Sequence, residues 1–188
     1  MELAEVVRGR RTFRKFTSEP VSREVLERVI ELGFWAPSAG DARSHVFAVV
    51  GGEKRNEIQE IVRGAIDDVR RLVEKEFAAN RPLVEEIVDF YVDFGSAPVL
   101  ILAYAGKFVD GEDDVASVSA AIQNVLLGAY EEGLGTAWAG RTSMCSAEIS
   151  AAVGIADRTL VGILPIGYPR VLPGPRAQKE GDVRWLGL

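Results

Sequence analysis

Five positive charges crowd into eight residues, Arg8-Gly9-Arg10-Arg11-Thr12-Phe13-Arg14-Lys15, of a chain with 22 basic and 28 acidic side chains in all. A planar guanidinium donates two hydrogen bonds to two oxygens of one phosphate, so an arginine-rich run suits a phosphorylated ligand. The plainer reading of such a run is solvated surface or a nucleic-acid-binding arm. Phe13 and Phe16, however, interrupt the charges as in a segment half buried with its cations directed one way. Each charge-assisted hydrogen bond contributes about 1.5–3 kcal/mol. Two arginines with help from ring contacts are then enough to hold a mononucleotide.

Three glycine-containing segments could complete such a site. Ala36-Pro37-Ser38-Ala39-Gly40-Asp41 lets backbone approach a flat ligand closely, although taken alone it is a loop. Gly133-Leu134-Gly135-Thr136-Ala137-Trp138-Ala139-Gly140 lies between a helix and a strand. It is the reverse of a dinucleotide fingerprint, in which the glycines follow a strand and open a helix. Ile166-Gly167-Tyr168-Pro169 ends a strand. One cysteine, Cys145, excludes an internal disulfide, and with His45 the only histidine a Cys/His zinc cage lacks ligands. No nucleophile motif surrounds Cys145, and His45 reads as the first residue of a strand.

The elements that must position these groups follow from periodicity. Ser22 caps a helix with Val25, Leu26, Val29, Ile30 and Phe34 on one face, ended before Pro37. His45 to Val50 is a buried strand. Glu53 to Phe77 reads as one long amphipathic helix, and a second runs from Pro82 towards Phe94. Val99 to Ala105 is a strand, Asp110 to Asp114 a loop, and Val115 to Glu132 a helix stopped by Gly133. The small residues Ala116, Ser117, Ser119, Ala120 and Ala121 in that helix fit either close packing within one subunit or a seam between two. Thr136 to Ala139 is a short strand, Ala147 to Val153 a short helix and Thr159 to Ile166 a buried strand, followed by a proline-rich arm.

Strands separated by helices over this length predict one α+β or α/β domain around a central sheet. A net charge of −6 opposes nucleic acid and anionic membrane surfaces as partners. The longest apolar run, Val99 to Ala105, is far short of the ~20 residues of a membrane span. No secretory pattern opens the chain, and the expectation is a cytoplasmic protein.

In this order and spacing the four features resemble the nitroreductase family. Arg10-Arg11-Thr12-Phe13-Arg14 is similar to its Arg-Arg-Ser-x-Arg segment, and Ala36-Pro37-Ser38-Ala39-Gly40-Asp41 to its Ala-Pro-Ser-x-x-Asn. Gln123-Asn124, Gly133-Leu134-Gly135-Thr136 and Gly167-Tyr168-Pro169 match the remaining motifs. The resemblance implies an α/β/α sandwich around a mostly antiparallel sheet, with a helical insertion at about 53–95 and an extended arm at about 170–188 in a single domain. It implies a homodimer with FMN at the subunit interface and NAD(P)H as hydride donor. A nitro compound, quinone or similar small molecule would be the acceptor, reached by a ping-pong cycle.

On that pattern Arg10 and Arg11 contact the FMN phosphate and ribityl chain, and Arg176 joins at the phosphate. Thr12 donates from its hydroxyl, and Arg14 lies at the pyrimidine edge, where a cation offsets negative charge gained on reduction. Pro37, Ser38, Ala39 and Gly40 come from the partner subunit, Asp41 is counted with the cofactor-binding residues, and backbone groups of Ala139 and Gly140 face the N5/O4 edge. The resemblance requires no acid/base pair, since the cofactor carries the hydride. Phe90, Tyr91 and Phe94 are expected to wall the acceptor pocket.

Where the family reads Asn-x-Gln-Pro-Trp, this chain has Asp41-Ala42-Arg43-Ser44-His45. Arg43 either neutralises Asp41 or attracts an anionic substrate, and the first is expected. A specialised flavoenzyme of the same fold, acting in dehalogenation, oxidation of an intermediate or flavin breakdown, is the alternative. A nucleic-acid-binding module using the basic arm is a further one.

Overall fold

A computed structural model describes residues 1–108, 110–172, 174 and 181–187. A four-stranded antiparallel sheet lies at its centre in the order β1-β2-β6-β5. These are β1 (Val46–Gly51), β2 (Val99–Tyr104), β5 (Gly135–Thr136) and β6 (Leu160–Gly167). Two further short strands, β3 (Gly106–Lys107) and β4 (Asp113–Asp114), pair with each other. The expected loop at Asp110–Asp114 thus ends in a two-residue strand.

Both faces of β2 are covered, as its unbroken apolar run requires. Leu100, Leu102 and Tyr104 point into one cluster with Val62, Val73, Ile87 and Phe94, while Ile101 and Ala103 point into another with Val29, Ile122 and Val125. Each fully buried aliphatic side chain contributes about 1.5–3 kcal/mol. The first layer is built by α3 (Gly52–Gly64), α4 (Ile66–Phe77), α5 (Arg81–Asp93) and α7 (Ser146–Ala152). The second is built by α2 (Arg23–Phe34) and α6 (Val115–Glu131), with α1 (Leu3–Gly9) beside α6. The architecture is the expected α+β sandwich.

The single helix expected over Glu53–Phe77 is two. Ala65, with φ −101° and ψ 14°, follows Gly64 and its N–H turns back to the Val62 carbonyl. The apolar stripe continues across this break, so periodicity alone does not show it. The α4–α5 pair is tied by a bidentate ion pair, with Arg70 Nη1 and Nη2 at 2.9 Å and 3.0 Å from the Glu85 carboxylate oxygens.

Farther along α6, close packing on α2 is set by Gly128 and Asn124. A Cβ at Gly128 would stand 2.5 Å from Leu32 of α2, and Asn124 donates to the Leu32 carbonyl at 3.1 Å. Gly133, at φ +77°, ends α6 as expected. Among the described residues no helix is long and apolar enough to cross a membrane.

Candidate functional site

The basic N-terminal segment is woven into the core and is not a free arm. Phe13 and Phe16 are 4% and 3% exposed, and the Phe13 N–H donates to the Thr136 carbonyl at 2.9 Å. Farther on, Thr17 N–H donates to the Tyr168 carbonyl and Arg170 N–H to the Lys15 carbonyl, each at 2.9 Å. The Gly-Tyr-Pro turn therefore holds the end of the segment that opens with the arginines.

Between these anchors Arg14 crosses the end of α5 over Gly95, whose carbonyl accepts the Phe16 N–H at 2.9 Å. Phe94, Gly95 and Ser96 all have positive φ, at 53°, 64° and 63°. The Asp93 carboxylate fixes the turn, accepting from Gly95 N–H at 2.7 Å and from the Ser96 hydroxyl at 2.8 Å. Arg55 clamps it from α3, with Nε 3.0 Å from the Ala97 carbonyl.

Thr12, Arg14 and Gly140 meet at one cavity of about 450 Å³, within the usual range of ligand pockets. Its apolar walls are Phe77 from α4, Ile87, Phe90 and Tyr91 from α5, and Trp138. Of the expected wall residues, Phe90 and Tyr91 are there, while Phe94 is fully buried in the core behind them. Arg14 Nη1 lies 3.1 Å from Glu86 Oε1. Arg141 also lines the cavity, forming an ion pair with Glu76, and its N–H donates to the Tyr91 hydroxyl at 3.0 Å. Burial raises the Tyr91 phenol above its ordinary pKa, so it stays protonated at neutral pH.

The other expected residues stand elsewhere. Arg11 turns away from the cavity: its Nη1 lies 2.6, 2.9 and 3.0 Å from the carbonyls of Arg8, Gly9 and Arg10. A cation over the carbonyl end of α1 is well placed there, and Arg11 holds that helix end. Arg10 ends α1 and is half-buried. Ala139 gives both backbone groups to the sheet, with N–H to Ile163 O at 2.8 Å and the return bond at 3.0 Å. Its N–H is thus already used within the sheet, whereas Gly140 lines the cavity. Arg176 lies outside the described residues.

Pro37, Ser38, Ala39, Gly40 and Asp41 line no part of this cavity. The loop is nonetheless firmly held. Ala39 N–H donates to the Ser117 hydroxyl at 3.2 Å, Arg43 N–H to the Ser38 hydroxyl at 3.1 Å, and Arg158 to the Ser44 carbonyl. Arg43 pairs with Asp41, Nε to Oδ1 at 3.0 Å, so the departure at this point neutralises itself as expected. His45 is 4% exposed and stacked on Phe34 with centroids 5.3 Å apart, as a structural residue. Cys145 is 4% exposed and its thiol is pushed up to about 11, chiefly by burial, which makes it inert.

Trp138 and Arg141 were absent from the expected site. Trp138 reaches the cavity because Gly162 on β6 makes room: a Cβ there would stand 2.3 Å from Trp138 Nε1. Arg141 directly follows Gly140, and that adjacency is the one signal in the sequence pointing to it. Among the described residues no group of three or more potential ligands is placed to hold a metal ion.

The profile of the Nitroreductase family matches residues 7–168. Over 188 aligned residues, "Putative NAD(P)H nitroreductase YfhC" of Bacillus subtilis (strain 168) is 28% identical, with 97% of this chain and 91% of that one covered. Iodotyrosine deiodinase 1 of Rattus norvegicus is 29% identical over 180 residues, and the match covers 89% of this chain and 62% of the deiodinase. A mutant of the FMN- and NADPH-dependent nitroreductase NfnB from sphigopyxis sp. strain HMH superimposes with a TM-score of 0.80 at 25% identity, over 100% of both chains. The motif order, the antiparallel sandwich and these matches agree that the chain belongs to the nitroreductase family.

Proposed function

We propose that the protein is an FMN-dependent oxidoreductase that takes a hydride from NAD(P)H and passes it to a nitro compound, quinone or similar small acceptor. The observation that carries this reading is the cavity where Thr12, Arg14 and Gly140 converge under aromatic walls. That set fits a flavin ring. The Thr12 hydroxyl and Arg14 guanidinium are donors suited to carbonyl oxygens. Gly140 N–H makes no hydrogen bond to the described residues and adds a backbone donor.

Bound FMN supplies the hydride chemistry, and the side chains supply orientation and charge. Arg14 places a cation at the pyrimidine edge, and Thr12 fixes that end of the ring. Arg10 would take the phosphate, a role the family pattern also gives to Arg176, and Arg11 would act by fixing the end of α1. Phe90, Tyr91 and Trp138 exclude water and present flat apolar surface to an aromatic acceptor.

Pro37, Ser38, Ala39, Gly40 and Asp41 are assigned to the partner's flavin in a homodimer. Supporting this, the loop is held by hydrogen bonds to Ser117 and Arg158 yet lines no part of its own cavity. Leu3 and Trp35, 73% and 72% exposed, border a second cavity with Met1, Val6 and Leu32, an apolar face that a second copy would cover.

Purified protein is expected to show flavin absorbance, to be bleached by NADH or NADPH, and to give parallel double-reciprocal plots with a nitroaromatic or quinone. Colourless protein that ignores added FMN would sink the reading. The likeness to iodotyrosine deiodinase favours a second one, reductive dehalogenation at the same cavity. Halide release from a halophenol by the reduced enzyme, with nitroaromatics untouched, would select it.

A further inference from the structure

The cavity has an unusual charge for its chain. Two of its lining residues are ionisable with full charge at neutral pH, Arg14 and Arg141, and both are cations in a protein of net charge −6. Their carboxylate partners, Glu86 on α5 and Glu76 on α4, do not line the cavity and are half exposed, at 52% and 48%. A half-exposed carboxylate gains little from its pair and can swing into water at small cost. The guanidiniums are the less exposed members, at 28% and 30%. A low-dielectric cleft focuses their positive field inward.

Arg14 is accounted for by the flavin edge; Arg141 is not. It stands one residue beyond Gly140, and its backbone is pinned by the Tyr91 hydroxyl at 3.0 Å. Its side chain therefore starts from a fixed point between the ring donor Gly140 and the aromatic wall of α5. A guanidinium has five donors, and one ion pair leaves room for a second carboxylate.

We propose that Arg141 is a specificity residue of this cavity, taking the carboxylate of an aromatic acid whose ring lies against Tyr91, Phe90 and Trp138. Glu76 holds the guanidinium between ligands and is displaced or shared when the acid enters. The inference rests on the cavity being the acceptor's place. Within that reading it selects anionic aromatic acceptors over neutral ones.

The test uses the FMN-loaded protein, with benzoate and its neutral isostere benzamide as probes in calorimetry. Benzoate is expected to bind more tightly by about tenfold, the factor of one charge-assisted hydrogen bond. Arg141→Gln should bring the two to equality, and Arg141→Lys should restore part of the difference. Glu76→Gln, which removes the competing carboxylate, should tighten benzoate severalfold and leave benzamide unchanged. Turnover of 4-nitrobenzoate against 4-nitrobenzamide should follow the same order.

Equal binding of the two probes to the unmodified protein overturns the proposal. So does an undiminished benzoate preference in Arg141→Gln, or weaker benzoate binding in Glu76→Gln. A loss in Arg141→Gln confined to the rate of flavin bleaching by NADPH also overturns it, since the arginine then serves the nucleotide. If neither nitro compound turns over but the Arg141-dependent preference for benzoate stands, the nitroreductase reading fails and this one holds.

Discussion

Gly95 lies so close to Arg14 that a Cβ on the glycine would stand 2.1 Å from the Arg14 carbonyl oxygen. The backbone there is also left-handed, with φ +64°, a region that L side chains enter at a cost of about 1–2 kcal/mol. Gly95→Ala is therefore expected to force the Arg14 segment off α5 and to lower stability by about 2–4 kcal/mol. Thermal melting and flavin content are expected to fall together. A variant that keeps both would show that Arg14 is positioned from elsewhere.

Arg10 and Arg11 are adjacent arginines with different surroundings, and their substitutions should separate. Arg10→Ala is expected to weaken FMN by about 10–100-fold in a fluorescence titration, the loss of one or two charge-assisted bonds. Arg11→Ala is expected to lower the melting temperature through the freed carbonyls of α1 and to weaken FMN less. Equal losses of FMN would return Arg11 to the phosphate.

Arg43 has φ 45° and Asp41 φ 53°, both left-handed, and their ion pair is 53% and 76% exposed. An exposed pair of this kind contributes about 0–1 kcal/mol. Replacing Arg43 removes it in either case, so Arg43→Gly and Arg43→Ala differ mainly in backbone strain. The glycine variant is expected to be the more stable by about 1 kcal/mol in urea unfolding. The reverse order would place the value of Arg43 in its side chain.

His45 gives the chain a pH dependence of known sign. Burial holds the imidazole below its ordinary pKa of 6.5, with Asp114 pulling the other way, and neither ring nitrogen has a partner among the described residues. The folded state keeps the ring neutral while the unfolded chain takes up a proton below about pH 6.5, so stability is lost as pH falls through that range. His45→Phe is expected to flatten the fall between about pH 7 and pH 5 relative to the unmodified protein. An unchanged slope would assign the acid sensitivity to carboxylates.

The parts of the site legible in the sequence were those where residue type follows from local geometry. Phe13 and Phe16 among arginines announced a half-buried segment, Gly133 announced the end of α6, and the apolar run of β2 announced a strand covered on both faces. What stayed hidden depends on distant neighbours. Arg10 and Arg11 are chemically identical, and only the path of the backbone after α1 decides that one caps its own helix. Trp138 reads as any strand residue until Gly162 on the adjacent strand is seen to clear its place. The break at Gly64–Ala65 is invisible because α3 and α4 present their apolar faces to the same core cluster. The left-handed turn at Phe94 was masked by an aromatic residue in a conformation aromatics seldom adopt.

The break after Gly64 and the turn at Phe94–Ser96 bracket α4 and α5, which Arg70 and Glu85 join to each other. Between those two points lie Phe77, Ile87, Phe90 and Tyr91 of the cavity lining, with Glu76 behind it, while Thr12, Arg14, Trp138, Gly140 and Arg141 lie outside them. On the proposed reading, most of the apolar wall is carried by one stretch of the sequence and the groups assigned to the flavin by others. Residues 65–93 form a cassette: exchanging it between relatives should change which rings the cavity admits, while the part of the preference set by Arg141 stays with the recipient, as does its hold on flavin.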